Sequence, residues 1–232
     1  MPQSSPEGLV FVYLEGGADL AEDVLNDVYD NEHAPLRMTV PGFMTGVRYR
    51  AVDSKTPTWL TLYDIDKPQS ANSDAYNALK DLVSDKEKAI WPKIAGLSRR
   101  SYAHIGTFTH PDTIAEALPS KYVLSVSLEV EPEGEDEFNR WYDEEHMDLL
   151  AKVPGWQRGR RFKSVQFDQR GVLADKPVFK YLAIHELDNN DFLQTPEFKH
   201  ATSTEWRDRV MKHCVGRELR VFALHKNFGG KQ

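Results

Sequence analysis

The hydrophobic residues form a pattern of short runs and helically spaced positions, and this pattern occurs twice along the chain. The runs at 9–14 and 122–128 predict strands, because short hydrophobic segments bounded by glycine, proline and acidic residues are typical of them. After each run, hydrophobic residues recur every three or four positions, as on one face of a helix. These residues are Leu20, Val24, Val28 and Leu36 in the first half and Phe138, Trp141, Tyr142 and Leu149 in the second.

The rest of each half continues with the same elements. A Val-Pro-Gly sequence ends each helix, since proline disfavours a helical conformation in the residue before it. The further predicted elements are strands at 46–52 and 58–65, a helix at 73–89 and a strand at 99–108, then strands at 159–167 and 178–187, a helix at 195–213 and a strand at 217–224. Both halves thus have the order β-α-β-β-α-β of a ferredoxin-like unit.

An internal repeat explains the doubled order. His33 and His146 both follow Tyr-Asp-x-Glu, and both precede Val-Pro-Gly and an aromatic residue at the same spacing. Further on, Tyr63 corresponds to His185, so the second copy holds nine more residues (185 − 63 against 146 − 33). The extra residues fall in 164–176, where polar and turn-forming residues predict a longer hairpin loop. A tandem duplication is therefore predicted.

The duplication predicts a first unit at 1–108 and a second at 121–232, joined by a linker at 109–120 that contains two prolines. A single β-α-β-β-α-β unit leaves one face of its sheet uncovered, and a second unit can bury that face. The predicted fold class is α+β, with two ferredoxin-like β-α-β-β-α-β units packed sheet to sheet as a single-chain α+β barrel. Strand edges that remain after this pairing leave both a monomer and a homodimer open.

Composition and charge narrow the range of partners. The chain is 40% hydrophobic and 28% charged, which is ordinary for a soluble domain. The net charge of −7 disfavours nucleic acid as a partner, because an acidic protein repels a phosphate backbone. The single cysteine, Cys214, cannot form an internal disulfide. With no signal-peptide pattern and no hydrophobic segment of about 20 residues, a cytoplasmic protein without a membrane segment is expected.

The repeated motif carries a family resemblance. Tyr-x-x-Glu-His, a following leucine and then Val-Pro-Gly with an aromatic residue occur at 29–43 and at 142–156. This pattern resembles the dimeric α/β-barrel superfamily, and most of all its EthD-like branch. The resemblance implies a small-molecule pocket between helices and sheet in each half, and side-chain chemistry without a cofactor. It does not select the reaction, since the superfamily includes isomerases, polyketide cyclases, decarboxylases, cofactor-free monooxygenases and haem enzymes.

Two histidine–tyrosine pairs are candidate catalytic groups. His33 and His146 lie near the ends of their predicted helices, with Tyr29 and Tyr142 four residues earlier on the same face. Histidine exchanges protons near neutral pH, so such a pair can remove a proton next to a carbonyl group and hold the enolate. The alternative is a structural histidine that hydrogen-bonds the loop after Val-Pro-Gly, and duplication is compatible with both interpretations.

A strand of the second half presents a further candidate, His185. Residues 179, 181, 183 and 185 share one face of this strand and are Phe, Tyr, Ala and His. This face, with Tyr181, predicts either an aromatic wall for a planar ligand or an ordinary core with one polar group. Trp59 and Tyr63 lie on the matching face in the first half. Trp141, at a helix position that ordinarily packs the core, is a further candidate for substrate contact.

Two arginines, Arg48 and Arg161, open the second strand of each half and are candidates for binding a substrate carboxylate or phenolate. The alternative is an ion pair with the helix, in which Glu32 and Glu145 are the expected partners. A metal is not expected, because the chain has no His-Glu-x-x-His sequence and no cysteine cluster. A nucleotide cofactor is not expected either, because no glycine-rich phosphate loop follows a strand.

These residues favour a cofactor-independent lyase or isomerase that acts on a small aromatic or polyketide-like acid, as in polyketide biosynthesis. Proton transfer by one of the histidines would start a decarboxylation, dehydration or cyclisation, while the tyrosines and arginines position the substrate. Two alternatives stay open. One is a cofactor-free monooxygenase of the same superfamily, and the other is a barrel that binds a small molecule without catalysis.

Overall fold

The computed structural model describes residues 5–230 of the chain. Its strands are β1 (Gly8–Glu15), β2 (Phe43–Ala51), β3 (Trp59–Ile65), β4 (Gly96–Thr109), β5 (Tyr122–Val130), β6 (Trp156–Gly171), β7 (Tyr181–Leu187) and β8 (Cys214–Gly230). These eight strands form a closed antiparallel barrel in the order β1-β3-β2-β8-β5-β7-β6-β4. The predicted fold class, an α+β barrel of two ferredoxin-like units, is confirmed.

The helices are short and follow the same strands in both halves. They are α1 (Glu22–Val28), α2 (Ala34–Arg37), α3 (Asp74–Asn77), α4 (Asp85–Ile90), α5 (Glu135–Trp141), α6 (Met147–Leu150), α7 (Pro196–Ala201) and α8 (Glu205–Met211). A π-helical turn joins α1 to α2 at Tyr29–His33, and a second one joins α5 to α6 at Tyr142–His146. Both turns coincide with the repeated Tyr-x-x-Glu-His motif.

The second helix of each half is divided in the structure, although the sequence pattern predicts one continuous helix. Ser73 and Ser84 accept hydrogen bonds from backbone N–H groups at the starts of α3 and α4. Thr195 and Thr204 do the same at the starts of α7 and α8. Because serine and threonine are preferred N-cap residues, the second cap of each pair begins a new helix. The prediction of single helices at 73–89 and 195–213 is wrong for this reason.

Two compact units make up the chain. The first consists of the residues up to His104, Ser164–Pro177 and the residues from Leu224 onward, and the second consists of Ile105–Lys163 and Val178–Ala223. The first unit therefore includes the end of β6 with the loop that follows it, and the end of β8. The predicted division into 1–108, 109–120 and 121–232 stays a prediction.

The sheet of the first unit has β1 at its centre, between β3 and β4, with β2 beyond β3. Every residue from Leu9 to Leu14 is buried, which explains why β1 is an uninterrupted hydrophobic run and not an alternating one. Helix α1 packs on this sheet through Leu25 and Val28. Val24, expected on the same face, is 43% exposed and lies outside this core.

The sheet of the second unit has β5 between β7 and β8, with β6 beyond β7. Phe138 and Trp141 of α5 pack in one core with Tyr181 and Ala183 of β7. The face of β7 predicted from residue alternation is therefore a buried one. In the part of the chain that the structure describes, no helix has the length and apolar character needed to cross a membrane.

Candidate active site

The first unit contains a cavity of about 290 Å³, near the lower end of the range of about 300–1,000 Å³ that is usual for small-molecule sites. Its wall combines apolar side chains of the sheet with aromatic rings and three arginines. The lining residues are Val10, Val12, Tyr29, His33, Arg37, Phe43, Tyr63, Tyr76, Trp91, Leu97, Arg99 and Arg170. A planar molecule with a negative charge fits this combination of surfaces.

The π-helical turn Tyr29–His33 places two of the candidate residues on the cavity wall. The turn is closed by the N–H of Ala34, which donates to the carbonyl oxygen of Tyr29. The Tyr29 and His33 rings lie side by side, with 4.6 Å between their centroids. π-Turns are rare and are often found at functional sites, and the motif forms one here in place of the predicted α-helical turn.

A buried carboxylate on α4 holds the His33 ring. His33 Nδ1 lies 2.7 Å from Oε1 of Glu87, a residue with no exposed surface. Trp91 Nε1, at 3.1 Å, and Arg37 Nη1, at 3.3 Å, donate to the same oxygen. Burial opposes the negative charge, but the interactions with His33, Arg37 and Trp91 outweigh it and lower the pKa of Glu87. Glu87 is therefore a carboxylate, which can only accept, so the proton of this bond is on His33 Nδ1.

The His33 ring is neutral at physiological pH. Burial disfavours the imidazolium and lowers the pKa of His33 to about 4, although the hydrogen bond to Glu87 acts in the opposite direction. With the proton on Nδ1, the lone pair is on Nε2, and this atom makes no hydrogen bond to residues 5–230. The ring on the cavity wall thus combines an oriented Nδ1 with a free proton acceptor, which is what general-base catalysis needs.

Two tyrosine hydroxyls on the cavity wall interact with each other. They belong to Tyr29 and Tyr63, both of which are almost fully buried. Burial raises the pKa of Tyr29, and burial together with the neighbouring Tyr29 raises the pKa of Tyr63 well above its usual value. Both are therefore neutral donors. A neutral hydroxyl of this kind can donate a hydrogen bond to a ligand oxygen.

The three arginines of the cavity wall give it a positive potential. Arg37 is bound to the acid-base pair described above. Arg99 donates to oxygens just before α3 and lies 4.5 Å from the centroid of the Tyr76 ring. The guanidinium of Arg170 lies 5.3 Å from the centroid of the Trp91 ring. Arginine stacked on aromatic rings is well suited to bind a carboxylate or phenolate.

Arg48 and Trp59 are not part of the cavity wall, but Arg48 contacts Trp59 and also Tyr29, which lines the cavity. The Arg48 guanidinium has no exposed surface and lies 4.3 Å from the centroid of the Tyr29 ring and 3.9 Å from that of Trp59. Its Nη1 donates to Oδ1 of Asp30 at 2.7 Å. The ion pair to the helix is thus made with Asp30 and not with the expected Glu32, because neighbouring helical residues point in different directions and Glu32 faces α4.

The second unit contains a smaller cavity, of about 70 Å³, lined in part by Trp141, Tyr142, His146 and His185. His146 Nδ1 donates to the Ala201 carbonyl oxygen at 3.2 Å, and its ring stacks on Trp141 with 4.1 Å between centroids. Burial lowers the pKa of His185 to about 4. Burial and the nearby His185 lower the pKa of His146 well below its usual value. Burial raises the pKa of Tyr142 to about 12.

The second cavity lacks the carboxylate that orients the histidine of the first. Glu87 is the third residue after the N-cap of α4, and the third residue after the N-cap of α8 is Arg207, which lines the second cavity. The positive charge of Arg207 contributes to the lowered pKa of His146. Among the described residues, His146 has no carboxylate partner. The two histidines share a sequence motif but not an environment.

Arg161 packs on Tyr142, with its guanidinium 4.1 Å from the ring centroid. Its Nη1 donates to Oδ1 of Asp143 at 3.0 Å, and its Nη2 donates to Oδ1 of Asn139 at 2.6 Å. The expected partner, Glu145, instead accepts a hydrogen bond from the Trp141 ring. Arg161, like Arg48, is therefore an ion-paired residue next to a tyrosine and is outside the cavity wall.

The predicted aromatic face of β7 is divided between two roles. His185 lines the second cavity, and its Nδ1 accepts a hydrogen bond from Trp156 Nε1 at 3.4 Å. Tyr181 is not among the lining residues, and its hydroxyl donates to Oε2 of Glu135 at 2.8 Å. Both side chains thus have partners within the second unit, which favours the interpretation of this face as a core with satisfied polar groups.

Several residues of the first site are not among the repeated residues of the motif, and most of them have no sequence signal of their own. They are Arg37, Tyr76, Glu87, Trp91, Arg99 and Arg170. One signal is available for Glu87. Alignment of the two halves at the N-caps of α4 and α8 places this glutamate opposite Arg207. The change from an acidic to a basic residue indicates that the two halves have different electrostatic environments at this position. Within residues 5–230, no group of three or more metal-binding side chains is present.

No protein-family model and no curated protein matches the chain. Solved structures share its fold. An anthrone oxidase-like protein has a TM-score of 0.66 and 14% identity, over 99% of this chain and 95% of that one. A mutant chlorite dismutase from Candidatus Nitrospira defluvii has a TM-score of 0.60 and 8% identity, over 97% and 92%. A ferredoxin-fold protein related to antibiotic biosynthesis monooxygenases, from Listeria monocytogenes, has a TM-score of 0.50 and 12% identity, over 95% and 96%.

These similarities support the predicted dimeric α/β-barrel fold, since they cover nearly all of each chain. At such low identities they do not select a reaction. The functional assignment therefore depends on the site itself.

Proposed function

We propose that the first cavity is the active site of a cofactor-independent enzyme that removes a proton from a small, anionic aromatic or polyketide-like molecule. The observation that carries this proposal is the His33–Glu87 pair. A buried carboxylate holds Nδ1 of the ring at 2.7 Å, Nε2 is left without a partner in the described residues, and the His33 side chain lines a cavity. A neutral, oriented imidazole of this kind is a general base.

In the proposed step, a C–H or O–H bond of the substrate breaks and its proton moves to His33 Nε2. The electron pair stays on the substrate and is delocalised onto an oxygen, to which the Tyr29 and Tyr63 hydroxyls donate hydrogen bonds. A pKa of about 4 makes His33 a weak base by itself. A bound anion next to the ring favours the imidazolium and raises this pKa toward neutrality, where proton transfer is most effective.

The reaction that follows is, in this proposal, of the lyase or isomerase type. Return of the proton to another atom gives isomerisation or cyclisation, and loss of water or CO₂ gives dehydration or decarboxylation. The second cavity, with Arg207 in place of a carboxylate, has no acid-base role here, so His146 and His185 are structural. The proposal includes a tandem duplication within an EthD-like branch, for which the paired π-turns and the equal order of elements are the support.

A cofactor-free monooxygenase is the second candidate. Its first step is the same proton abstraction, after which the substrate carbanion or phenolate reacts with O₂ directly. The names of two structural neighbours, an anthrone oxidase-like protein and a relative of antibiotic biosynthesis monooxygenases, favour this candidate. The aromatic wall formed by Tyr29, Tyr63 and Trp91 suits a phenolic ring system equally well.

The test is a metabolite assay with two matched histidine variants. The purified protein and its His33→Gln and His146→Gln variants are incubated with fractions of a small-molecule extract from the source organism, in air and without oxygen, and followed by mass spectrometry. We expect a mass loss of CO₂ or water, or an unchanged mass at a new retention time, which His33→Gln abolishes and His146→Gln retains.

The other outcomes separate the alternatives. A product that gains oxygen and forms only in air identifies the monooxygenase. A compound that copurifies with the protein and is never converted identifies a binding barrel. Conversion that survives His33→Gln but not His146→Gln would place the chemistry in the second unit and refute the assignment of the first cavity.

A further inference from the structure

The loop after β6 holds the extra residues of the second half, yet it belongs to the first compact unit. Ser164–Pro177, called the arm below, comprises the last residues of β6 and the loop that follows. Of its residues, Arg170 lines the first cavity. The insertion that distinguishes the two halves in sequence therefore contributes to the wall of the cavity in which we place the chemistry.

Specific contacts hold the arm in place on the first unit. The N–H of Val172 donates to the Ala95 carbonyl oxygen at 2.8 Å, and Gln169 Nε2 donates to Ser98 Oγ at 2.9 Å. Gly171 has a φ of +63°, and a Cβ at this position would collide with the Ala95 carbonyl oxygen. Position 171, directly after Arg170, therefore requires glycine. These contacts position Arg170 at the cavity.

Arg170 differs from the other two arginines of the cavity wall because none of its donors makes a hydrogen bond to the described residues. Arg37 donates to Glu87 and to the His33 carbonyl oxygen, and Arg99 donates to two oxygens before α3. Within residues 5–230, Arg170 makes no hydrogen bond or ion pair, and its guanidinium lies over the Trp91 ring. Its five N–H groups are therefore available to a ligand.

We propose that Arg170 binds a carboxylate of the substrate, and that the arm is the element that gives the first cavity its preference for acids. A guanidinium binds a carboxylate through two parallel hydrogen bonds, and the cation–π contact with Trp91 helps to hold the guanidinium at the cavity. The role in a reaction rests on the proposed function, but the preference for acids does not, because it is a property of binding.

The distances from Trp91 limit the size of the ligand. Arg170 lies 5.3 Å from the centroid of the Trp91 ring, and that centroid lies 5.0 Å from the centroid of the His33 ring. The guanidinium and the imidazole are therefore at most about 10 Å apart, the sum of these two distances. A carboxylate on a system of one or two aromatic rings can contact both groups at once.

Calorimetric binding of two probes, 2-naphthoate and its neutral analogue 2-naphthamide, tests the proposal without a known substrate. We expect the wild-type protein to prefer the acid, and Arg170→Gln to weaken binding of the acid about fivefold to tenfold at low ionic strength while binding of the amide is unchanged. Raising the salt concentration should reduce the preference, because Arg170 is exposed and its charge is screened. Arg140→Gln, at an exposed arginine of the second unit, is the matched control.

Three results would overturn the proposal. The first is that Arg170→Gln weakens binding of the acid and of the amide equally. The second is that the preference for the acid is lost in Arg99→Gln but not in Arg170→Gln. The third is that the wild-type protein binds neither probe. His33→Gln keeps the two claims apart, since it should retain the preference for the acid. A preference that survives in His33→Gln supports the role of Arg170 even if the proposed catalysis fails in the metabolite assay.

Discussion

Replacement of Glu87 by glutamine is expected to lower kcat for the proposed reaction by roughly 10²–10³-fold. The amide has nearly the same size as the carboxylate, so the cavity keeps its shape. Its oxygen can still accept from His33 Nδ1, Trp91 and Arg37, so the tautomer is kept, but the negative charge that stabilises the imidazolium formed by proton transfer is lost. The measurement is kcat and KM over a pH series with the substrate identified by the metabolite assay.

The matched control for this experiment is Glu145→Gln. Glu145 also accepts a hydrogen bond from a tryptophan, Trp141 Nε1 at 2.9 Å, and from a hydroxyl, but it binds no histidine. Its replacement should leave kcat within a factor of about two, since it touches neither the reacting atoms nor His33. Equal losses of kcat in the two variants would show that the effect comes from disturbed helices and would contradict the role of Glu87.

Removal of the Asp30 side chain is expected to destabilise the fold by about 3–5 kcal/mol. Asp30→Ala leaves the guanidinium of Arg48, which has no exposed surface, without the carboxylate that accepts from its Nη1 at 2.7 Å. It also removes the acceptor of the His225 Nε2 hydrogen bond, which is 2.7 Å long. In a chain of this size, such a loss lowers Tm by about 10 °C in thermal unfolding.

Asp143→Ala is the corresponding change in the second unit. The Asp143 side chain is 68% exposed, and Arg161 keeps its second bond, to Asn139 Oδ1. The expected cost is therefore below about 1 kcal/mol, because exposed ion pairs contribute little. The double variant Asp30→Ala/Arg48→Met should recover part of the loss, since a buried pair can often be replaced by apolar groups. Equal Tm values for Asp30→Ala and Asp143→Ala would contradict this description of the buried pair.

The strands and their order could be predicted because they depend on patterns that are local in sequence. The run at 9–14 in β1 is hydrophobic throughout, the run at 122–128 in β5 has two serines among hydrophobic residues, and the repeat places the same elements in both halves. The ends of the strands are harder to predict from sequence patterns. β6 continues to Gly171 and β8 to Gly230, beyond the predicted ends at 167 and 224, because the added residues are largely exposed and polar and leave no hydrophobic pattern.

The choice between His33 and His146 could not be predicted from the motif that they share. The residue that distinguishes them, Glu87, is 54 positions from His33 and lies on another helix. Its place after Ser84, in the pattern Ser-x-x-Glu, is typical of a helix cap, in which the glutamate would turn back to the cap residue. In the structure the Ser84 hydroxyl accepts from the Glu87 N–H as a cap does, but the carboxylate binds His33 instead.

The contribution of the arm is a second feature that sequence patterns do not show. The nine extra residues could be recognised as a longer loop, since turn-forming residues are common there. Their packing against Ala95 and Ser98 depends on tertiary contacts between segments that are far apart in sequence. Arg170, an ordinary exposed arginine in the sequence, has a candidate function only because this packing places it beside Trp91.

The tautomer and charge of His33 test the central claim most directly, and they can be measured without a substrate. Long-range ¹H–¹⁵N NMR spectra of the histidine rings, assigned by comparison with His33→Gln, report which nitrogen carries the proton. We expect a neutral ring with the proton on Nδ1 at pH 7, a transition to the imidazolium only as the pH falls to about 4, and a still lower pKa of His33 in Glu87→Gln, because the carboxylate raises it. A proton on Nε2, or an imidazolium at pH 7, would contradict the assignment of His33 as the base.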